Sequence, residues 1–231
     1  HTKTLIARGL NLLNYYIFCG GTSTGYRTGR RDISSYDFDS AVHEWGELAD
    51  KYYTARRIGG ALRVFGRELA CTLPVSDIPV QAARGVSIPV RRGDRCAFIF
   101  PRNLTRSIQE ITFRLDIPGE GEHPFPSGAP LRLKPQGMKM LPVNIPLDKT
   151  VTLVWTTSDV FTVTRREEET VLVLTGEPGE KGEVFLRGFE GFDHIRGAGA
   201  AEEWNGGLLV TFRHVKGSSH IRLMTHDDDE L

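Results

Sequence analysis

Leu10-Asn-Leu-Leu-Asn-Tyr-Tyr-Ile-Phe18 is an apolar and aromatic run broken only by Asn11 and Asn14, with Gly9 before it and Cys19-Gly-Gly21 after it. A short, nearly continuous apolar run between glycines predicts a strand buried on both faces, the kind found in parallel sheets. Upstream, Thr2 to Arg8 reads as a helix carrying Leu5 and Ile6, ended by Gly9. Downstream, Cys19 to Gly46 is rich in Gly, Ser, Thr and Asp with no period, which is loop composition. Leu48, Tyr52, Ala55, Ile58, Leu62 and Phe65 then recur at steps of three and four, so an amphipathic helix is expected, closed by Gly66. Strand, long loop, helix is the repeating unit of a (β/α)8 TIM barrel, in which the loop after the strand carries the active-site residues. One and a half units cannot close a barrel, and the chain opens at His1 inside what reads as a helix. Residues 1–68 are therefore expected to be the C-terminal end of a barrel in a longer protein.

After about residue 70 the period changes to two. Val151, Leu153 and Trp155 alternate with Thr152 and Val154, and Phe161 and Val163 with Thr162 and Thr164. A charged turn at Arg165–Glu169 leads to Thr170–Leu174, and Gly176-Glu-Pro-Gly179 predicts a turn into the return strand Glu183–Leu186. Leu208–Val215 and His220–Met224 read as a hairpin around Gly217, and Pro118–Pro130 as a long connection. Many short strands with regular turn signals predict antiparallel β-sandwich-type domains, one over 69–190 and the start of a further β region over 191–231.

Composition narrows the function classes. The chain is 39% hydrophobic and 25% charged, with 29 basic and 29 acidic residues, so nothing steers it toward nucleic acid or an anionic membrane. Clustered charge at Arg27, Arg30 and Arg31 and at Asp227–Glu230 reads as solvated loop and tail. No apolar run approaches the roughly 18 residues of a membrane helix. Three cysteines, an odd number without close spacing, argue against a disulfide framework or a zinc site and mildly for a reducing compartment. The histidines show no paired spacing, so no metal site is expected. The sequence carries no signal for an oligomeric state.

Four ordered segments bear a resemblance to a known family. Asn14-Tyr-Tyr-Ile-Phe-Cys-Gly-Gly-Thr22 resembles the last barrel strand and loop of glycoside hydrolase family 35, the β-galactosidase type. Ser34-Ser-Tyr-Asp-Phe-Asp39, His43-Glu-Trp-Gly46 and Lys51-Tyr-Tyr-Thr-Ala-Arg56 resemble the family's following segments, and Val171–Gly179 with Glu183-Val184 a strand pair of its β-domain. The resemblance implies retaining hydrolysis of terminal β-galactosides, or of related β-glycosides, by two glutamates, with no metal or organic cofactor and a carbohydrate as the partner. In the family both glutamates lie upstream of the matched segment, so the expected catalytic set in this chain is none. The expected sugar-contacting residues are Tyr16, Gly21, Tyr36 and Phe38, the last standing where the family has a second Tyr. Cys19 replaces the family's His, and Ser23-Thr24 its Asn-Phe.

An aromatic side chain beside a pyranose covers its apolar C–H face, and a phenol also hydrogen-bonds ring hydroxyls. Gly20-Gly21 is expected to let the backbone pass close to the pocket. Asp37 and Asp39, two apart, would share one side of an extended segment; they are read as holding the loop rather than as a catalytic pair. The competing reading is a non-catalytic carbohydrate-binding or interaction β module, or a truncated relic. Exposed, coplanar Trp155 or Trp204 would favour the module, and buried ones would count against it.

Overall fold

The computed structural model describes residues 1–23, 33–79, 84–166, 169–189 and 191–225. The arginines at 27, 30 and 31, the centre of the charged turn at 167–168 and the acidic tail lie outside the described residues. By their internal contacts the residues fall into two compact units, one of residues 1–10 with 64–231 and one of residues 11–63.

The first unit is built mostly of strands. In chain order they are β1 (Leu73–Val75), β2 (Val86–Ser87), β3 (Val90–Arg92), β4 (Ala97–Ile99), β5 (Arg102–Asn103), β6 (Gln109–Ile111), β7 (Phe113–Ile117), β8 (Gly121–Phe125) and β9 (Leu131–Leu133). There follow β10 (Leu141–Pro146), β11 (Thr152–Thr156), β12 (Asp159–Arg166), β13 (Glu169–Thr175), β14 (Lys181–Arg187), β15 (Phe192–Gly197), β16 (Gly199–Trp204), β17 (Gly207–Arg213) and β18 (Ile221–Thr225). Eight of them form one sheet in the order β1-β3-β4-β10-β11-β14-β17-β16, with every ladder antiparallel. The alternation Phe113-Arg-Leu-Asp-Ile117 sends Phe113, Leu115 and Ile117 inward and leaves Arg114 and Asp116 in solvent, as a half-buried strand requires. These side chains meet Ile99, Val143, Trp155 and Phe185 of the large sheet in one core. Trp155 is fully buried at its centre, with Phe125, Phe185 and Trp204 around it.

An antiparallel β domain is thus present as expected, but three pairings differ from the sequence reading. Thr170–Leu174 and Glu183–Leu186 do not pair: β13 pairs with β12, while β14 sits between β11 and β17. Five consecutive buried residues in β14 fit a central strand and not half of an open hairpin. Leu208–Val215 and His220–Met224 do not pair either, since β17 lies between β14 and β16 and β18 joins β15. The Pro118–Pro130 connection contains a strand, β8, in a hairpin with β7. The large sheet takes strands from both sides of residue 190.

Two helices join this frame. Helix α1, Thr2–Ala7, ends at Gly9 with φ +100°, where a Cβ would press on Pro74 at 3.1 Å. Lys3 anchors it by an ion pair to Asp159 at 2.7 Å. Helix α2, Asp50–Ala70, runs through Gly66 instead of stopping there. A mid-helix glycine costs about 1 kcal/mol, less than the roughly 1.5–3 kcal/mol gained by burying each of Phe65 and Leu69.

The expected strand at residues 10–18 does not form. Leu12 is 85% and Tyr16 81% exposed. A buried strand needs ladder partners on both sides, and among the described residues the bridge here is a single parallel one, from Cys19 at the segment's end to Val42.

Candidate functional site

The loop of residues 14–48 is closed by backbone bonds that set its side chains. Gly20 donates to Val42 at 2.7 Å and Val42 donates to Phe18 at 3.0 Å; Tyr36 donates to Gly21 at 2.7 Å. Ile17 is held at φ 55°, a region that costs a β-branched residue on the order of 1–3 kcal/mol. Phe38 and Asp39 also take positive φ. Three strained residues in one loop show that its closure dictates the backbone more than local preference does.

The four residues singled out from sequence come together. The Tyr16 and Tyr36 hydroxyls are 3.3 Å apart. Phe38 meets the Tyr36 ring edge-on at 5.1 Å, and Gly21 lies beneath through its carbonyl bond to the Tyr36 N–H. Among the described residues no atom stands within 4 Å of a Cβ built on Gly21, so they leave the space above it open. The bond shared with Tyr16, with the charge a second phenolate would face, pushes the Tyr36 phenol above its ordinary value. The Tyr36 phenol is therefore neutral at physiological pH, and the pair presents its hydroxyl groups, beside an exposed Phe38, to whatever enters.

Asp37 and Asp39 do not share a side. Positive φ at Phe38 and Asp39 breaks the period of two, so Asp37 turns inward while Asp39 faces solvent and pairs with Lys51 at 2.6 Å. Asp37 is the loop's organiser. It accepts from His43 Nδ1–H at 2.8 Å, from the Glu44 N–H at 2.8 Å and from Ser40 Oγ–H at 3.1 Å. Burial alone would raise its carboxyl, but these bonds together hold it below the ordinary carboxylate value. A carboxyl depressed by folding stabilises the fold above its unfolded value of about pH 4, and that contribution is lost as pH falls through the folded value. Asp37→Asn should therefore lower the melting temperature at pH 5, and the gap to wild type should shrink as the pH is taken toward 3. A gap that widens on acidification would refute the assignment.

Sequence reading missed three features here. Gly20, not Gly21, is the crowded glycine: a Cβ on it would collide with Asp37 Oδ1 and stand 2.8 Å from the Glu44 nitrogen. His43 serves as the partner of Asp37, six residues away. Its ring also stacks on Trp45 at 4.6 Å with 7° between planes. Among the described residues no group of three or more His, Cys, Asp or Glu could hold a metal ion.

Residues 88–228 match the family described as Beta-galactosidase, domain 2, which is more than half of the chain, and residues 1–62 match Glycosyl hydrolases family 35. The chain belongs to this β-galactosidase family. Among curated relatives, it is 26% identical over 195 residues to a probable beta-galactosidase B of Aspergillus terreus, covering 79% of this chain and 18% of that protein. It is 25% identical over 198 residues to beta-galactosidase A of a Penicillium species, covering 82% of this chain and 20% of that protein. A beta-galactosidase of Mus musculus is 39% identical over 59 residues, 23% of this chain and 9% of that protein. The chain thus spans about a fifth of the two fungal proteins. In this family-35 chain the loop residues that come together lie in the segment matched to the glycosyl hydrolase family, and the Trp155 core lies in the segment matched to domain 2.

Proposed function

We propose that this chain is the end of the (β/α)8 barrel and the following β-domain of a retaining exo-glycoside hydrolase acting on terminal β-galactosides. Tyr16, Tyr36, Phe38 and Gly21 line its glycone subsite, while the acid/base and nucleophile glutamates belong to barrel strands outside residues 1–231. The observation that carries this is the exposed aromatic group: two phenols in contact, an edge-on phenylalanine, and open space above a glycine. Its rings suit the C–H face of galactose and its hydroxyls suit the ring hydroxyls. Leu12, exposed beside the Tyr16 segment, is what a further barrel strand would cover. Trp155 is buried and meets Trp204 edge-to-face at 84°, so these two offer no coplanar platform and the binding-module reading gains nothing from them.

The test is hydrolysis of an aryl β-galactoside. A protein carrying this segment on a complete barrel should turn it over, and residues 1–231 expressed alone should not. Turnover by residues 1–231 alone would overturn the placement of the catalytic glutamates.

A further inference from the structure

Trp45 is 64% exposed, yet little about it is free to move. The imidazole of His43 covers one face of the indole in a near-parallel stack at 4.6 Å. That imidazole is itself fixed by Asp37, whose carboxylate is organised by the Glu44 N–H and the Ser40 hydroxyl. The only polar donor of the indole, Nε1–H, is used on Glu47 Oε2 at 2.9 Å. Glu44 is fixed in turn by Thr22 Oγ1–H at 3.0 Å. Gly46, between Trp45 and Glu47, has no atom of the described residues within 4 Å of a built Cβ. A chain of contacts thus runs from a buried carboxylate to an exposed aromatic face whose orientation is set before any ligand arrives.

We propose that Trp45 is a pyranose-stacking platform, carried by different residues from the Tyr16–Tyr36–Phe38 group and independent of the role assigned to that group. With its N–H occupied, the open indole face offers only π surface, which suits the apolar C–H face of a sugar. The free oxygen lone pairs of exposed Glu47 beside it accept hydroxyl hydrogens, the polar complement that a pyranose needs and an apolar partner does not. Glu47 is bonded to the ring, and glutamate is depleted at the cores of protein interfaces. Preorganisation makes the platform worth more than a loose surface Trp, because the stack on His43 and the bond to Glu47 leave less rotamer freedom to be lost on binding.

The experiment is a titration with methyl β-galactopyranoside and lactose, read on the indole N–H signals of Trp45, Trp155 and Trp204 in a proton–nitrogen correlation spectrum. The Trp45 signal should shift saturably while that of buried Trp155 stays still. Read on the backbone amide signals of Gly46 and Glu47 in the same spectrum, Trp45→Ala should weaken binding at this site by about tenfold or more, and Trp45→Phe should restore most of it. Tyr16→Ala should leave the Trp45 shift in place, which separates this proposal from the glycone-subsite assignment. Glu47→Ala, which frees the ring without shortening it, should also weaken binding. The proposal is overturned if the Trp45 signal is unmoved up to about 50 mM sugar, weaker than any millimolar site, or if Trp45→Ala titrates like wild type. Shifts confined to residues around Tyr16 would overturn it too, while leaving the glycone subsite standing.

Discussion

Replacing Arg91 by Met should unfold the β domain more readily than any surface change, lowering stability by about 3–5 kcal/mol. Arg91 lies in β3 and is fully buried. Its guanidinium donates to Ile6 O at 3.0 Å and Leu10 O at 3.5 Å, at the end of α1, and to Leu69 O and Thr72 O at 2.8 Å each, at the end of α2. Helix C-termini present carbonyls without intrahelical partners and carry partial negative charge, so one buried cation serves both ends. Burial pushes the guanidinium below its ordinary value, but from so high a start that it stays charged at neutral pH. Methionine keeps much of the volume and removes the donors, leaving buried carbonyls such as Thr72 O without this partner. For a chain of this size the loss corresponds to a melting temperature roughly 6–20 °C lower. Arg91→Lys should recover only part of it, since one ammonium cannot reach four carbonyls from two helices. A melting point within about 2 °C of wild type for the Met variant would show that other contacts hold the helix ends.

The second large effect is expected at Gly20. Its missing side chain is where the organising carboxylate sits, so Gly20→Ala drives a methyl into Asp37 Oδ1 and against the Glu44 nitrogen at 2.8 Å and Ser40 Oγ at 2.9 Å. These are the same contacts that hold Asp37, and with it the backbone on either side at Tyr36 and Phe38. Either the carboxylate leaves its donors or the loop backbone moves by several tenths of an ångström. Misplacement on the order of 1 Å at a binding constellation costs about a hundredfold in rate. In the catalytically complete protein, Gly20→Ala should therefore lower kcat/KM by roughly that factor. Gly21→Ala, with open space around its Cβ, should fold normally and act only by occupying room that substrate needs. Equal kinetics for Gly20→Ala and wild type would remove Asp37 from the account.

What the sequence disclosed followed from what each element buries. Helix α2 was visible because Ile58, Phe65 and the residues between them repeat at the helical period; Leu48 lies ahead of it in a bridge to Val42, and its end runs on because Gly66 is too small a penalty to stop it. The strands of the β domain were visible by alternation, but their partners were not. β14 is buried along nearly its whole length, and a strand covered on both faces takes neighbours that sequence adjacency does not indicate. The run at 10–18 has the composition of a central strand but, among the described residues, no strands to sit between. In the loop, the resemblance picked out Tyr16, Gly21, Tyr36 and Phe38, which do converge. The Asp37–His43–Trp45 chain was not legible, because it depends on positive φ at Phe38 and Asp39, which no local pattern encodes in residues other than glycine.

The central claim, that the Tyr16 group receives the terminal sugar, is tested most directly by kcat/KM of Tyr16→Phe and Tyr16→Ala in the complete enzyme on an aryl β-galactoside. Loss of one hydroxyl contact should cost about three- to tenfold, and loss of the whole ring about thirtyfold or more, with the melting temperature unchanged because the side chain is 81% exposed. If both variants keep kcat/KM within about twofold of wild type, smaller than one lost hydrogen bond, Tyr16 does not touch the sugar and the subsite lies elsewhere.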